Sequence, residues 1–375
     1  MQKVLCVFGT RPDAIKMAPV VLELLRRPAH FDVKVAVTGQ HRQMLDQVLS
    51  AFEIVPDFDL NIMTQGQTLA EVTTRSLSGL DPILDAEKPD WVLAQGDTTT
   101  TFVAALAAFY HGAKFGHVEA GLRTGNPRDP FPEEMNRLLT TRLATLHFPP
   151  TPESAANLKA DGVGEDAIVL SGNTVIDALL EVAAKAYLPT DPLLSEILDD
   201  PRRMLLVTTH RRENWGEPMG RIGVAVRQIV DAFPDVVAVV PWHLNPLVRE
   251  ALTPSLANHP RIRLIEPQEY VPFVKLEQKS TLILTDSGGV QEEAPSLGKP
   301  VLVARETTER PEGIAAGTAK LVGTDTALIV AEATRLLSDP EAYAAMARAV
   351  SPYGDGHAAR RIADALEIPR SETLT

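Results

Sequence analysis

Residues 280–295 read Ser-Thr-Leu-Ile-Leu-Thr-Asp-Ser-Gly-Gly-Val-Gln-Glu-Glu-Ala-Pro, the pattern of a strand, a tight turn and a helix. The apolar run at 282–284 has the length and composition of a buried parallel strand. Ser287 predicts a helix N-cap, and Gly288 and Gly289 would let a ligand approach the backbone closely. Unpaired amides at such a helix start suit a phosphate. The same pattern also fits an ordinary capped turn, so this stretch alone leaves both interpretations open.

Strand-like and helix-like segments alternate along the rest of the chain. Apolar runs typical of buried strands lie at 4–8, 33–37, 91–94, 114–118 and 145–148, and again at 204–208, 236–240, 262–265, 282–285 and 301–304. Helical stretches separate these runs, which predicts parallel, doubly wound sheets joined by crossovers. Two halves with one sheet each fit 375 residues better than a single large sheet. We therefore predict an α/β protein of two Rossmann-like domains with a boundary near residue 170.

Composition restricts the partners and sites that the chain can have. The net charge of -13 argues against nucleic acid or an anionic membrane as the main partner. The single cysteine, Cys6, excludes an internal disulfide and a multi-cysteine metal site, and the histidines lack metal-ligand spacing, so we expect no metal. The first residues do not read as a signal peptide, and no stretch approaches the ~18 apolar residues of a membrane span. We therefore expect a soluble, cytoplasmic protein.

Charged residues follow several predicted strands of the first half, at the strand ends where open parallel sheets bind ligands. Asp97 and Glu119 each follow a strand, and Glu133 begins a helix with an acidic first turn. Arg11 and Lys16 lie within one turn of a helix start, where an anion would be held. Each residue also has an ordinary structural interpretation: Asp97 as an N-cap, Glu133 as a complement to the helix dipole, and the two cations as solvated surface charges.

The second half places basic groups at its strand ends. His210 and two arginines follow the run at 204–208 and form a candidate anion clamp, whereas His243 stands alone after the run at 236–240. Carboxylates in one half and basic groups in the other suit a ligand with an anionic leaving group beside a proton-transfer centre. The loop at 9–16 matches neither the dinucleotide fingerprint nor the P-loop, which argues against a nicotinamide enzyme and an ordinary P-loop NTPase.

Motifs spread over nearly the whole chain resemble those of one family. They are Phe8-Gly-Thr-Arg-Pro, Gln40-His-Arg, Gly96-Asp-Thr-Thr-Thr, His117-Val-Glu-Ala-Gly-Leu-Arg-Thr, Pro132-Glu-Glu, Gly172-Asn-Thr, His210-Arg-Arg-Glu-Asn, residues 285–300 and Pro352-Tyr-Gly-Asp-Gly. With these motifs in this order, the chain resembles the bacterial non-hydrolysing UDP-N-acetylglucosamine (UDP-GlcNAc) 2-epimerases. The resemblance implies a glycosyltransferase-B-type fold with the active site in the interdomain cleft, and a homodimer. It implies a first domain of residues 1–170 and 357–375 for the sugar, and a second of residues 171–356 for UDP.

The resemblance also implies a reaction and the residues that carry it out. The reaction interconverts UDP-GlcNAc and UDP-N-acetylmannosamine (UDP-ManNAc) for cell-surface polysaccharide biosynthesis, without a cofactor, by elimination and readdition of UDP through a 2-acetamidoglucal. The implied catalytic residues are Asp97, Glu119, Glu133 and His210. The implied substrate and UDP ligands are Arg11, Lys16, Arg137, Phe273, Ser287, Gly288, Gly289 and Glu293, the last on the ribose. Residues compatible with a second, activating UDP-GlcNAc are Gln40, Gln43 and His243.

Three positions depart from the commonest pattern of this family. Gln95 stands where a histidine is usual, Trp242 stands where a valine is usual, and Gly66 replaces an arginine that some relatives use to contact the activator. The last of these argues against tight activation. Three alternatives stay open from sequence: a hydrolysing epimerase that releases free N-acetylmannosamine, a glycosyltransferase, and a nucleotide-sugar binding protein without activity.

Overall fold

The computed structural model describes residues 1–39, 42–64 and 66–368, with the backbone alone at 42–44. The strands are β1 (Gln2–Phe8), β2 (Phe31–Val37), β3 (Phe58–Asp59), β4 (Trp91–Gln95), β5 (Lys114–Val118), β6 (Leu146–Phe148), β7 (Arg203–Thr208), β8 (Val236–Pro241), β9 (Ile262–Ile265), β10 (Leu282–Thr285), β11 (Val301–Val303) and β12 (Ala319–Leu321). The helices are α1 (Arg11–Leu25), α2 (Arg42–Ala51), α3 (Leu69–Glu87), α4 (Thr99–Tyr110), α5 (Glu133–Leu143), α6 (Pro152–Ala160), α7 (Thr174–Ala184), α8 (Pro192–Asp199), α9 (Glu217–Ala232), α10 (Pro246–Leu256), α11 (Tyr270–Lys279), α12 (Gly288–Ser296), α13 (Pro311–Ala315), α14 (Thr326–Ser338), α15 (Pro340–Ala347) and α16 (Ala358–Glu367).

The chain divides into two compact units, each with its own six-stranded parallel sheet. Unit 1 comprises Met1–Ala178 and the chain from Tyr353 on, and unit 2 comprises Leu179–Pro352. The strand order is β3-β2-β1-β4-β5-β6 in unit 1 and β9-β8-β7-β10-β11-β12 in unit 2, so both sheets wind in the same way. This confirms the predicted α/β class of two Rossmann-like domains, as expected of a glycosyltransferase-B-type fold.

The direction of winding reverses once in each sheet. The reversal lies between β1 and β4 in unit 1 and between β7 and β10 in unit 2, where these strands pair directly. Loops that leave the carboxyl ends of neighbouring strands diverge at such a point and open a crevice for a ligand. The loops after these strands are therefore the places to look for a site in each unit.

The two units divide after residue 178 and before residue 353, whereas the predicted domains divide after residue 170 and before residue 357. Residues 171–178 and 353–356 pack with unit 1, because hydrogen bonds join the two segments to each other and to α16. Asn173 donates its backbone N–H to the carbonyl of Tyr353 (2.8 Å). The carboxylate of Asp177 accepts the first amides of α16, those of residues 358 (3.2 Å) and 359 (2.9 Å).

Continuous apolar runs account for the buried strands of both sheets. In β1 every residue from 4 to 8 is buried, and all of β4 and β10 is buried as well. A parallel sheet that is covered by helices on both faces needs such runs, since neither face meets water. No helix in the described residues is long and apolar enough to cross a membrane.

Candidate active site

The loop after β1 is organised by a buried carboxylate, Asp13. Thr10 caps α1, and Asp13 accepts the backbone amides of Gly9 (3.3 Å) and Thr10 (3.1 Å). A side chain at Gly9 is excluded, since a Cβ there would lie 2.1 Å from Oγ1 of Thr38. Burial raises the pKa of Asp13 to about 6, and the charge of Asp97 contributes to this rise. The sequence analysis missed Asp13 as part of the site, although it directly follows the motif that begins at Phe8.

Asp97 follows β4 and forms an ion pair with a predicted ligand residue. Thr98, not Asp97, is the N-cap of α4, so the carboxylate is not used for capping. It accepts two hydrogen bonds from Arg137, at 2.9 Å from Nε and 2.6 Å from Nη2. The backbone carbonyl of Asp97 accepts a further bond from Nδ2 of Asn136 (2.9 Å). Burial, the largest single cause, would lower the pKa of Arg137, but the charges and hydrogen bonds of Asp97 and Glu134 together outweigh it and raise that pKa.

Glu119 follows β5 and pairs with a lysine from the first helix. Its φ of 61° lies in the left-handed region, which residues other than glycine rarely adopt outside functional or strained positions. Oε2 of Glu119 lies 2.5 Å from Nζ of Lys16, and the two side chains are only 10% and 16% exposed. Arg11 is the first residue of the same helix and is half-buried. The structure thus brings two predicted site residues into contact within unit 1.

The start of α5 carries two neighbouring glutamates with different environments. Glu133 is the first residue of the helix and is half-buried. Glu134 is buried and accepts the backbone amides of Thr124 (3.0 Å) and Gly125 (3.1 Å). It also accepts Nη1 of Arg137 (2.9 Å), so it holds the arginine that binds Asp97. Sequence reasoning placed the chemistry on Glu133 and missed the supporting role of Glu134.

In unit 2, a fully buried carboxylate that follows β10, Asp286, organises the loop after β7. It accepts the backbone amides of His210 (3.0 Å) and Arg211 (3.0 Å) and Nδ2 of Asn214 (3.0 Å). Its Oδ1 lies 3.1 Å from Nδ1 of His210, whose side chain is 41% exposed. Burial would raise the pKa of Asp286, but these bonds and the charge of His210 lower it below its ordinary value. Asp286 therefore fixes the predicted anion clamp.

The glycine turn that follows Asp286 begins α12 as predicted, but its N-cap is unusual. Ser287 occupies the N-cap position, yet its side chain makes no capping hydrogen bond. Its hydroxyl is not committed to the helix and can serve a ligand. A Cβ at Gly288 would lie 3.6 Å from Nη2 of Arg211 and 3.9 Å from Cζ of Arg310, so two guanidinium groups border the helix start. Amides, a helix dipole and two cations converge there, as an anion site requires.

Arg310 is a further residue of this cluster that the sequence analysis did not single out. Its Nε donates to Oε1 of Glu292 on α12, and its Nη1 donates to the carbonyl of Glu309 (3.1 Å). These bonds fix the guanidinium beside the glycine turn. The signal in the sequence was a run of charged residues after β11, which does not reveal which arginine turns towards α12.

Glu293 and Phe273, both expected to contact UDP, lie on α12 and α11. Glu293 is 8% exposed, and Phe273 packs partly buried against the core of unit 2. A second carboxyl, that of Glu277, is fully buried, and both of its oxygens lack a hydrogen-bond partner among the described residues. Burial raises the pKa of Glu277 well above its ordinary value, and the charge of Glu293 adds to the rise.

The residues expected to bind an activator are covered only in part. Gln40 and the side chain of Gln43 lie outside the described residues. The ring of His243 stacks on that of His210, with the centroids 6.1 Å apart and the planes at 25°. Within the described ranges, no cluster of three or more His, Cys, Asp or Glu side chains could hold a metal ion.

Comparison with known proteins identifies the family. A family model described as UDP-N-acetylglucosamine 2-epimerase matches residues 23–367. The chain is 56% identical over 364 residues to the UDP-N-acetylglucosamine 2-epimerase of Bacillus subtilis strain 168, which covers 97% of this chain and 94% of that protein. The crystal structure of UDP-GlcNAc 2-epimerase from Neisseria meningitidis bound to UDP-GlcNAc is 50% identical and covers 97% and 99% of the two chains, with a TM-score of 0.83. The S. aureus MnaA structure with UDP is 46% identical, covers 98% and 96% of the two chains, and has a TM-score of 0.84.

These matches agree with the two Rossmann-like sheets and with the resemblance that the motifs predicted. The matched proteins cover nearly the full length, so the match includes the strand ends of both units. The chain belongs to the UDP-N-acetylglucosamine 2-epimerase family and is an epimerase, an enzyme of the isomerase class.

Proposed function

We propose that this chain interconverts UDP-GlcNAc and UDP-ManNAc by removing UDP from the sugar and adding it back. The C2 proton has no neighbouring carbonyl, so its direct removal would be very slow. When the bond between C1 and UDP breaks first, the developing oxocarbenium ion acidifies that proton. Loss of the proton gives a 2-acetamidoglucal, and protonation of C2 on the other face with readdition of UDP inverts the centre.

The observation that carries this proposal is the division of charge between the two units. The strand ends of unit 1 hold carboxylates, each paired with a cation: Asp97 with Arg137, and Glu119 with Lys16. The strand ends of unit 2 hold a glycine helix start with Arg211 and Arg310 beside it. Proton transfer at C2 needs the first set, and a departing diphosphate needs the second.

In unit 1, we assign proton transfer at C2 to Asp97, Glu119 and Glu133. One proton is removed from one face of C2 and another is delivered to the opposite face, so more than one carboxylate has to be present. The ion pairs with Lys16 and Arg137 orient two of these groups before the substrate binds. Arg11, at the start of α1, is assigned to the substrate, because the amides of a helix start and a cation together favour a negative ligand.

In unit 2, we assign the diphosphate to the start of α12. Backbone amides at Gly288 and Gly289, the free hydroxyl of Ser287 and the two guanidinium groups would hold the leaving group so that it is not lost to solvent. Because Nδ1 of His210 faces Asp286, its Nε2 is directed elsewhere and is available to the diphosphate. Glu293 and Phe273 are assigned to the ribose and the base side of UDP.

If UDP is retained, the reaction is an epimerisation without net hydrolysis. The family resemblance supports this non-hydrolysing reaction. The same resemblance supports a homodimer and an activating second UDP-GlcNAc. For the activator, the stacking of His243 on His210 would give a ligand at His243 a direct route to the diphosphate site. Sedimentation would test the dimer, and the dependence of the initial rate on UDP-GlcNAc concentration would test the activation.

The proposal is tested by Asp97→Asn, which keeps the size of the side chain and removes its charge. We expect turnover of UDP-GlcNAc to be lost while calorimetry shows UDP binding close to that of the wild type, since UDP is held by unit 2. The matched control is Asp81→Asn, an exposed aspartate of the same unit that pairs with His111. Turnover that survives Asp97→Asn would contradict the assignment of Asp97.

A further inference from the structure

A buried histidine lies directly behind the turn that carries Asp97. His117 is in β5 with none of its surface exposed, and its Nε2 lies 2.7 Å from the backbone carbonyl of Gly96. A carbonyl oxygen can only accept, so Nε2 must carry the hydrogen of this bond. Burial lowers the pKa of His117 and keeps the ring neutral, so it is the tautomer protonated at Nε2, and its Nδ1 bears a lone pair.

Hydrogen bonds tie both backbone groups of Gly96 to β5. Gly96 has a φ of 77°, and a Cβ built there would meet no heavy atom within 4 Å. Its N–H donates to the carbonyl of Val118 (2.9 Å), and its carbonyl accepts from His117, so both of its backbone groups are tied to β5. The next residue, Asp97, is held through its carbonyl by Asn136. Removal of the bond to His117 would leave the Gly96 carbonyl free to rotate.

The environment of His117 keeps it neutral, which suits a fixed donor and not a proton carrier. Burial lowers the pKa of His117 to about 4, far below its ordinary value of 6.5. Its Nδ1 has no hydrogen-bond partner among the described residues. An unsatisfied buried acceptor is unfavourable, so packing alone would favour an apolar side chain at this place. The bond from Nε2 is what a histidine adds there.

We propose that His117 is a positioning residue for the epimerisation, which holds the Gly96 carbonyl and thereby sets the place of the Asp97 carboxylate. The proposal rests on the role assigned to Asp97 above. His117 touches no substrate in this account and acts through the turn. A displacement of a catalytic group by 1 Å can cost about 100-fold in rate, so a small rotation of this turn is enough to matter.

The test compares a variant that keeps the donor with one that removes it. In His117→Gln the amide nitrogen can reach the place of Nε2, whereas His117→Met has a similar volume and no donor. The control is His147→Met, at the residue directly opposite His117 in the pairing of β5 and β6, which makes no side-chain bond to the turn in the described residues. We expect His117→Met to lower kcat by about 10- to 100-fold with little change in KM, and His117→Gln and His147→Met to retain most of kcat.

Two outcomes would overturn the inference while leaving the proposed function intact. One is a wild type that epimerises, together with equal kcat values for His117→Met and His147→Met. The other needs no variant: it is a nitrogen NMR spectrum of the wild type that shows His117 protonated at Nδ1, or that shows no slowly exchanging proton on Nε2. A wild type with no epimerisation would instead refute the proposed function, and the NMR result would still report on the bond to Gly96.

Discussion

Replacement of Gly121 by alanine provides a sharp test of the packing behind Glu119. Gly121 has a φ of 89°, and a Cβ there would lie 2.2 Å from the backbone carbonyl oxygen of Ser154 and 2.9 Å from Cγ of Leu158 on α6. A backbone atom inside a helix cannot move aside as a flexible side chain can. We therefore expect α6 or the loop after β5 to shift.

The matched control is Gly112→Ala, in the turn before β5. Gly112 has a similar φ of 71°, but a Cβ there would meet nothing within 4 Å. Both variants pay the cost of a left-handed alanine, about 1–2 kcal/mol. Gly121→Ala adds the overlap with α6, which costs about 1–3 kcal/mol more. Because Gly121 follows Glu119 by two residues, its variant should also lose activity.

Urea unfolding followed by tryptophan fluorescence measures this difference. Trp91 is buried in β4 and reports on unit 1. Trp215 and Trp242 lie in unit 2, so both would be replaced by phenylalanine in a common background. If Gly121→Ala and Gly112→Ala lower the free energy of unfolding by the same amount, the close contact between Gly121 and α6 is refuted.

Two further predictions concern acid stability and UDP affinity. Burial lowers the pKa of His147 from 6.5 to about 3, so below pH 6.5 the unfolded chain binds a proton that the folded chain does not, and stability falls as the pH falls. His147→Met removes this term, so relative to the wild type it should gain about 3 kcal/mol between pH 7 and pH 4 in urea unfolding; a difference that does not depend on pH would contradict this. In the double variant Ser287→Ala, Gly288→Ala, the new methyl at 288 lies at ordinary contact distance from Arg211 (3.6 Å) and Arg310 (3.9 Å), so the fold should tolerate it. It would occupy ligand space and remove a hydroxyl, and we expect UDP affinity in calorimetry to fall by about 1–3 kcal/mol; unchanged affinity would show that the turn is merely structural.

The strands that the sequence predicted contain runs that are rich in apolar residues. β1, β4 and β10 are such strands, because a sheet covered on both faces leaves a pattern in every residue. The edge strands β3, with the residues Phe-Asp, and β12, with Ala-Lys-Leu, have two and three residues and no such pattern. Their pairing depends on β2 and β11 beside them, which a local reading of the sequence does not include.

Strand ends located the candidate site residues, but sequence did not give their partners. Lys16 and Glu119 are 103 residues apart, and Asp97 and Arg137 are 40 apart. Both contacts depend on the order of strands in the sheet, which sets which loops are neighbours. Supporting groups such as Asp286 were missed for a related reason, since a buried carboxylate within a turn has the same sequence signature as a capping residue.

The proposed reaction epimerises a nucleotide sugar and retains UDP throughout. A proton NMR time course of the purified wild type with UDP-GlcNAc in deuterium oxide tests this most directly. We expect an approach to a fixed ratio of UDP-GlcNAc and UDP-ManNAc, with deuterium incorporated at C2 and no accumulation of free sugar. Accumulation of free N-acetylmannosamine with UDP, or UDP-ManNAc that keeps its original C2 proton, would contradict it.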